Sequence, residues 1–335
     1  MELTLIEKIR QMAQALAPKG GKGPIAMAIG DDCSEIVPDP GHSILLTTDT
    51  MVEDVHFRLS YFTPYVLGRK LASVNLSDIA AMGGSPLGAL LNLEVPPGLS
   101  DPANPFWPQF IKGLSEQLAR YNAFLIGGDT VKTTCNRLAL TLSLLGQVKQ
   151  GSAIYRHGAK PGDLIYCSGP LGESACGQKI LDSKRFFLPL PVKRRLVKRH
   201  LDPEPRLDLG QTLANVGVSA MIDISDGIAT DLGHIAKSSG VRANILASAL
   251  PVPRSVRIFA QRLRHHRPLD FVLFGGEDYE LVWTVPARNE KKMQKALLPI
   301  LKRPAIRIGY MTEGEGVWLL EAGSKREITF MGYEH

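Results

Sequence analysis

The sequence predicts a two-domain protein of mixed class, α/β or α+β. Its 335 residues exceed what one hydrophobic core usually organises, and an apolar content of 44% is enough for two cores. Segments of strand length alternate with segments of helical spacing along the chain, which is typical of this class. We place a first domain over residues 1–150 and a second over residues 151–335, because a turn-rich run from Gly158 to Asp163 precedes a new strand.

The first domain alternates helices and strands. Its opening helix carries Leu5, Ile9, Met12 and Leu16 on one face, and a glycine-rich loop follows at residues 18–24. The other predicted elements are strands at 43–49, 88–95 and 137–148, helices at 64–82 and 104–122, and a strand from Phe124 that ends at Gly127, Gly128 and Asp129.

The second domain continues the alternation. Its predicted elements are strands at 164–167 and 281–285 and helices after Gly169 and after Gly227. Ser225 or Asp226 is the predicted N-cap of the later helix. The basic, proline-broken stretch from Lys184 to Pro205 is predicted to be a surface excursion, and we assign it no role.

Charge and cysteine content narrow the function classes. A formal net charge of +6 is a modest excess, concentrated at residues 184–206 and 254–267, and without interleaved aromatic residues it favours solvated helix faces over nucleic-acid binding. No apolar run is long enough to span a membrane, and the charged N-terminus is unlike a signal peptide. The four cysteines form no Cys-x-x-Cys pair, so we expect a cytoplasmic protein without disulfides or a zinc site.

Acidic residues recur beside Gly, Ser or Thr at the ends of apolar runs. They are Asp31, Asp32, Asp49, Asp78, Asp129, Asp223, Asp226, Glu277, Asp278 and Glu280. Magnesium prefers oxygen ligands and is usually held by a few carboxylates together with phosphate oxygens and water. The pattern therefore indicates nucleotide chemistry. The chain contains no Gly-Lys-Ser/Thr, so its phosphate site is not a P-loop.

Two of these acids also have a structural explanation that involves no ligand. Asp78 returns to the apolar face of its predicted helix within about 20° of Leu71, so it points inward and needs a cation or a donor cluster, unless it caps a following turn. Glu277 belongs to a bend after the apolar run 271–274, where two glycines precede three acids. The plain alternative there is a hairpin whose carboxylates face water.

Eight ordered motifs together resemble the thiamine-monophosphate kinase family. They are Gly30-Asp-Asp, Thr47-Thr-Asp-Thr50, Asp54-Val-His-Phe57, Asn75-Leu-Ser-Asp-Ile-Ala-Ala-Met-Gly83, Ile126-Gly-Gly-Asp-Thr130, Gly158-Ala-Lys-Pro-Gly-Asp163, Asp223-Ile-Ser-Asp-Gly227 and Gly275-Gly-Glu-Asp-Tyr-Glu-Leu281. The resemblance runs from about residue 25 to the terminal Gly332-Tyr-Glu-His335.

The resemblance implies a fold and an activity. The fold is that of the aminoimidazole-ribonucleotide synthetase superfamily, whose N-terminal domain forms a shared β-barrel with a dimer mate. The activity is magnesium-dependent transfer of the γ-phosphoryl group of ATP to thiamine monophosphate, the last step of thiamine diphosphate biosynthesis. Because the acceptor phosphate is already anionic near neutral pH, we expect direct in-line transfer, no protein nucleophile and no phosphoenzyme.

The resemblance also implies roles for individual residues. The implied magnesium ligands, for several ions, are Asp32, Thr47, Thr48, Asp49, Asp78, Asp129, Asp223 and Asp226. The implied ATP contacts are Gly128, Asp129, Arg156 and Ser225. The implied contacts to thiamine monophosphate are His56, Glu277 and Tyr333. A lone histidine such as His56 is more often a satisfied core residue, and the flanking Asp-Val-His-Phe motif is the reason to favour a substrate contact.

Three alternative assignments fit the sequence less well than this family. A selenophosphate synthetase would need a reactive cysteine in the glycine-rich loop, and a hydrogenase-maturation dehydratase of this fold would need a C-terminal cysteine. The sequence has neither residue. A nucleotide-binding regulator without turnover is disfavoured, because clustered acids destabilise a fold by mutual repulsion and are typical of a catalytic site.

Overall fold

The computed structural model describes residues 7–12, 25–29, 32–183, 185–263 and 266–328. The predicted glycine-rich loop, Asp31 and Tyr333 lie outside these residues. Backbone contacts divide the chain into two compact units. The first comprises residues 1–79 and 84–151, and the second comprises residues 80–83 and 152–335.

The first unit is built on a four-stranded sheet in the order β3-β6-β4-β5, with a separate antiparallel pair β1-β2. Its strands are β1 (Ile25–Met27), β2 (Glu35–Ile36), β3 (His42–Val52), β4 (Ser85–Val95), β5 (Phe124–Lys132) and β6 (Ala139–Lys149). Strand β6 pairs antiparallel with β3 and β4, and β4 pairs parallel with β5. The predicted end of β5 at its two glycines is wrong, since the strand continues through Asp129 to Lys132.

Two long helices of the first unit pack closely together. They are α1 (Pro64–Ala81) and α2 (Phe106–Ala119), and residues 7–12 are also helical. A Cβ atom on Gly68 would lie 2.2 Å from the carbonyl oxygen of Phe110, and one on Gly113 would lie 1.9 Å from that of Tyr65. Glycine is therefore required on both sides of this helix contact.

The second unit contains a seven-stranded sheet in the order β13-β12-β9-β11-β7-β10-β8. Its strands are β7 (Leu164–Cys167), β8 (Ala220–Asp223), β9 (Arg242–Leu246), β10 (Leu281–Val285), β11 (Ile306–Thr312), β12 (Val317–Glu321) and β13 (Ser324–Glu327). Every residue of β7, β8 and β10 is buried. Strand β10 lies antiparallel between β7 and β8, and its first residue, Leu281, pairs with Asp223, the last residue of β8.

Helices cover this sheet in the second unit. They are α3 (Glu173–Ser183), α4 (Leu190–Leu201), α5 (Leu207–Ala214), α6 (Ile228–Ser239), α7 (Arg254–Ala260), α8 (Pro268–Phe274) and α9 (Glu290–Leu301). Ile228, Leu232 and Ile235 of α6 belong to the sheet core, as their spacing predicts. Both units thus combine sheet and helix, which confirms the predicted mixed class. In the described part of the chain, every helix is too short or too polar to cross a membrane.

The stretch from Lys184 to Pro205 is not the surface excursion that its charge and prolines suggest. It contains α4, which packs on α3 through the fully buried Leu196. A Cβ atom on Gly177 of α3 would lie 2.2 Å from the carbonyl oxygen of Leu196, so the two helix backbones nearly touch. The four-residue spacing of Val192, Leu196 and His200 was the signal available in the sequence, and the surrounding positive charge obscured it.

One local prediction in the second unit, the N-cap of α6, is also wrong, and the alternative of a hairpin at the acidic bend is ruled out. The apolar run 271–274 is the last part of helix α8, so the acidic bend joins a helix to a strand and is not a hairpin. The N-cap of α6 is Gly227, whose φ of 103° suits glycine, and neither Ser225 nor Asp226 caps the helix.

Candidate active site

A pair of carboxylates links β3 to α1 in the first unit. Thr47 and Asp49 lie on the same face of β3, and the Thr47 hydroxyl donates a hydrogen bond to the carboxylate of Asp78 on α1. Burial, and then repulsion from Asp78, raises the pKa of Asp49 to about 6. Since two partly buried acids lie close together, the site favours an added positive charge.

The predicted magnesium ligand Thr48 is placed differently. Its side chain lies on the opposite face of β3, where its hydroxyl accepts a hydrogen bond of 3.0 Å from Ser143. Alternation along a strand is the reason, since neighbouring residues point to opposite faces. The structure therefore brings together the side chains of Thr47, Asp49 and Asp78, but not that of Thr48.

A cleft of about 760 Å³ opens in the first unit and contains three predicted site residues: Asp32, Gly128 and Asp129. The amide of Asp129 donates to Asn92 Oδ1 at 3.0 Å, and Asp129 Oδ1 accepts from the amide of Thr130 at 2.8 Å. A Cβ atom on Gly128 would lie 1.9 Å from the carbonyl oxygen of Leu91, so this position requires glycine. The cleft has the size of a small-molecule site.

His56 follows β3 and is partly buried. Its Nδ1 accepts a hydrogen bond of 3.1 Å from the amide of Val52, which places the ring proton of the neutral imidazole on Nε2. The turn before it includes Asp54, whose φ is 67°. The histidine is thus fixed in orientation by the backbone at the end of β3.

In the second unit, a cluster of acids surrounds the end of β8. Asp223 is buried there, and Asp231 in the first turn of α6 is also buried and accepts a hydrogen bond of 3.2 Å from the amide of Asp226. Burial, followed by repulsion from Asp223 and Asp226, raises the pKa of Asp231 well above its usual range. The positive charge of the nearby Arg156 offsets only part of this rise. The predicted residues Asp223, Asp226 and Arg156 are therefore neighbours.

Asp231 is a site residue that sequence reasoning missed. It lies on the apolar face of α6, between Ile228 and Ile235. An acid on the buried face of a predicted helix is the same signal that identified Asp78, so the sequence contained it.

The acidic bend, residues 275–281, lies against the segment that follows β8. The amide of Glu277 donates to the carbonyl of Ser225 at 2.6 Å, and the amide of Tyr279 donates to that of Ile224 at 2.9 Å. A Cβ atom on Gly276 would lie 2.4 Å from the Ser225 oxygen. The structure thus brings Ser225, a predicted ATP contact, to the backbone of Glu277, a predicted substrate contact.

The three acids of this bend have different environments. Glu280 is fully buried, and although burial raises its pKa, Arg206 and Arg199 outweigh that effect and lower it. Asp278 is buried too and accepts from the backbone amides of Gly172 and Ser174, yet burial raises its pKa to about 7. Glu277 is only partly buried, and its side chain is 28% exposed. Of these three acids, Glu277 is the one accessible to a ligand.

The oxygen donors fit a hard divalent cation. The described residues contain no preformed cluster of three or more His, Cys, Asp or Glu side chains suited to a metal ion. Magnesium, however, is commonly bound through one or two carboxylates, with water and phosphate oxygens completing its shell. The acid groups at Asp49 and Asp78 and at Asp223 and Asp231 offer carboxylates of this kind.

Family models match both halves of the chain. Residues 30–148 match the AIR synthase related protein, N-terminal domain, and residues 160–319 match its C-terminal domain. The curated thiamine-monophosphate kinase of Escherichia coli strain K12 is 38% identical over 312 residues, which are 93% of this chain and 92% of that protein. The chain belongs to the thiamine-monophosphate kinase family.

Solved structures of the family share the fold. The thiamine-monophosphate kinase of Stenotrophomonas maltophilia K279a superposes with a TM-score of 0.80 at 32% identity and covers 94% of this chain and 95% of that one. A structure described as AaThiL complexed with AMPPCP and TMP gives a TM-score of 0.77 at 30% identity, with coverage of 98% and 96%. These findings confirm the predicted resemblance, the kinase class and the two-domain fold.

Proposed function

We propose that this chain transfers the γ-phosphoryl group of ATP to the phosphate of thiamine monophosphate, giving thiamine diphosphate and ADP. The observation that carries the proposal is the match to the family along nearly the whole chain, including a relative complexed with AMPPCP and TMP. The two acid groups, Asp49 with Asp78 and Asp223 with Asp231, agree with it, because phosphoryl transfer between two polyanions depends on cations gathered at the reacting groups.

The acids hold magnesium in this proposal. The proposed ligands are Asp32, Thr47, Asp49, Asp78, Asp129, Asp223 and Asp226, whereas the Thr48 side chain, on the opposite face of β3, is not among them. When bound, magnesium neutralises the negative charge of the phosphates. Support comes from the pKa of Asp49, which burial and then the nearby Asp78 raise, because a partly buried carboxylate beside a second one gains from a cation.

The remaining site residues orient the two substrates. Gly128, Asp129, Arg156 and Ser225 contact ATP, while His56, Glu277 and Tyr333 contact thiamine monophosphate. Gly128 lines the cleft, and Arg156 contributes positive charge beside the acids of β8 and α6. The acceptor phosphate attacks the γ-phosphorus directly, so the protein contributes position and charge and supplies no nucleophile.

A homodimer belongs to the same proposal, with the first domain contributing to a β-barrel shared with its mate. In the described sheet of the first unit, β3 is an edge strand, and its Ile44 and Leu46 are 45% and 70% exposed. Val131 on the opposite edge strand, β5, is 45% exposed. Exposed apolar residues on unpaired edges are typical of surfaces that pair with another chain.

The proposed location is the cytoplasm, with no membrane or nucleic-acid partner. All four cysteines, Cys33, Cys135, Cys167 and Cys176, are free thiols, which is typical of a reducing compartment.

A coupled assay for ADP tests the function. The purified chain is mixed with ATP and magnesium, with and without thiamine monophosphate. The proposal expects ADP release that depends on the thiamine compound and equals the thiamine diphosphate formed. ADP release that ignores thiamine monophosphate would contradict it, and so would a covalently phosphorylated chain trapped from γ-labelled ATP.

A further inference from the structure

The acidic bend is fixed from several sides. Arg199 Nη2 donates to the carboxylate of Glu280 at 2.9 Å and to the carbonyl of Asp278 at 3.2 Å. Asp278 is bound by backbone amides at the start of α3. Glu277 and Tyr279 have positive φ angles of 62° and 50°, which residues with side chains adopt only when their surroundings enforce them. The bend is therefore held in one conformation by its neighbours.

Helix α4 provides the contact to Glu277. His200, one residue before the end of α4, places Nδ1 3.0 Å from Glu277 Oε2 and 3.2 Å from the hydroxyl oxygen of Ser174. A carboxylate oxygen accepts hydrogen bonds, so Nδ1 carries the proton and donates it to Glu277. The imidazole acts as an oriented donor at the end of this basic helix.

The imidazole is buried and packed, whereas its partner is not. His200 is 1% exposed, and a Cβ atom on Gly177 of α3 would lie 3.1 Å from the Cβ atom of His200, so the ring has little freedom. The Glu277 side chain is 28% exposed. A rigid donor behind a partly exposed carboxylate is the arrangement that holds a binding group in a fixed direction.

We infer that His200 is a positioning residue: it orients the Glu277 carboxylate toward the cationic thiazolium ring of the phosphoryl acceptor and so contributes to the choice of a cationic acceptor. This inference rests on the proposed function, in which Glu277 contacts thiamine monophosphate. It gives α4, a basic helix outside the predicted site, a role in acceptor binding. His200 itself touches neither substrate nor reacting atoms.

Two substitutions of His200 separate the donor from the ring. In His200→Asn, the amide nitrogen occupies the place of Nδ1 and keeps the donor, whereas in His200→Gln the amide reaches the place of Nε2 and loses it. For His200→Gln we expect the KM for thiamine monophosphate to rise about tenfold, as for the loss of one hydrogen bond to a charged group, with the KM for ATP unchanged. For His200→Asn we expect a rise of less than about threefold.

Lys198→Gln is the matched control, because it removes a positive charge from an exposed position of the same helix. It is expected to leave both KM values unchanged. Circular dichroism and thermal unfolding are measured for every variant. Equal KM values for thiamine monophosphate in His200→Gln and Lys198→Gln would overturn the inference.

A double-mutant cycle asks whether His200 acts through Glu277. Glu277→Gln alone is expected to raise the KM for thiamine monophosphate, and adding His200→Gln is then expected to change it by less than about twofold. A second, independent tenfold rise would overturn the inference, because His200 would be acting by another route.

Glu277→Asp avoids disturbing the buried ring. It keeps the charge but shortens the side chain out of reach of His200 Nδ1, and it should also raise the KM for thiamine monophosphate about tenfold, by the same lost hydrogen bond. An unchanged value would overturn the inference even if His200→Gln did not fold. A wild-type chain that forms no thiamine diphosphate would overturn the proposed function and this inference with it, whereas an active enzyme with unaltered KM ratios would overturn this inference alone.

Discussion

Arg206 donates hydrogen bonds to both carboxylate oxygens of Glu280, with Nε 2.9 Å from Oε2 and Nη2 bonded to Oε1. Glu280 has no exposed surface, and Arg199 and Ser168 complete its set of donors. A buried charge that loses one partner keeps the cost of its removal from water. The stability of the bend that bears Glu277 therefore depends on two arginines from a stretch that looks like plain surface in the sequence.

Arg206→Gln should lower the free energy of unfolding by about 3 kcal/mol, because Glu280 remains buried with a weakened set of donors. Arg206→Lys should lower it by less, since lysine keeps the charge but not the two-pronged geometry. Chemical denaturation measures both. The control is Lys193→Gln, an exposed position on α4. Equal stability of Arg206→Gln and this control would show that the pair contributes nothing.

The pKa of Glu280 is lowered in the folded chain, so its contribution is fully present above the unfolded value of 4.5 and is lost as the pH falls below it. The difference in unfolding free energy between wild type and Arg206→Gln should accordingly shrink as the pH is lowered from 6 toward 3. A difference that stayed constant over this range would contradict the assignment.

Asp278 should behave in the opposite way. Its pKa is raised from 3.8 to about 7 in the folded chain. The contribution of this carboxyl to folding stability is therefore fully present below pH 3.8 and is lost as the pH rises through 7. Asp278→Asn, which stays neutral, should therefore gain about 1 to 3 kcal/mol relative to wild type between pH 5 and pH 7. Denaturation midpoints across this range provide the test. A stability gain of Asp278→Asn over wild type that grew as the pH fell would refute the prediction.

Asp49→Asn should reduce turnover by more than about 100-fold while the fold stays intact, because one charge is lost and the volume is kept. The same result is expected for Asp129→Asn. Thr50→Val is the control, since Thr50 lies on the opposite face of β3 and bonds to Thr141. Circular dichroism distinguishes lost charge from lost structure, and an unfolded Asp49→Asn would indicate a structural role instead.

Gly128→Ala should abolish ATP binding and destabilise the first unit by about 3 kcal/mol or more, because the new methyl group would overlap the Leu91 carbonyl at a φ of 148°. Gly98→Ala serves as the comparison, since nothing lies within 4 Å of a Cβ atom there. Calorimetry with a non-hydrolysable ATP analogue measures binding. Normal affinity in folded Gly128→Ala would show that the cleft is not the nucleotide site.

Helical periodicity correctly predicts a site residue where a single helix determines the direction of its side chain. The seven-residue interval from Leu71 to Asp78 on α1 placed that acid on the inner face, and the structure finds it bonded to Thr47. The same rule, applied to α6, would have found Asp231. Thr48 shows the limit of the approach, since its motif implied a ligand while strand alternation turned its side chain the other way.

Long-range packing was beyond the sequence. Nothing near Arg199, His200 or Arg206 reveals that their partners lie some eighty residues later in the chain, so a run of positive charge looks like a solvated face. The helical form of residues 271–274 was equally hidden, because short apolar runs suit a strand or a helix.

The pairing of Leu281 with Asp223 also determines where changes in chain length are tolerated. Six residues, 275–280, connect α8 to β10, and inserting or deleting one there would shift β10 against both β7 and β8 and exchange its side chains between two buried faces. The exposed turn at Ala322 and Gly323 between β12 and β13 has no such constraint. Insertions should therefore be tolerated in the turn between β12 and β13, at the sheet edge, but not in the bend that carries Glu277.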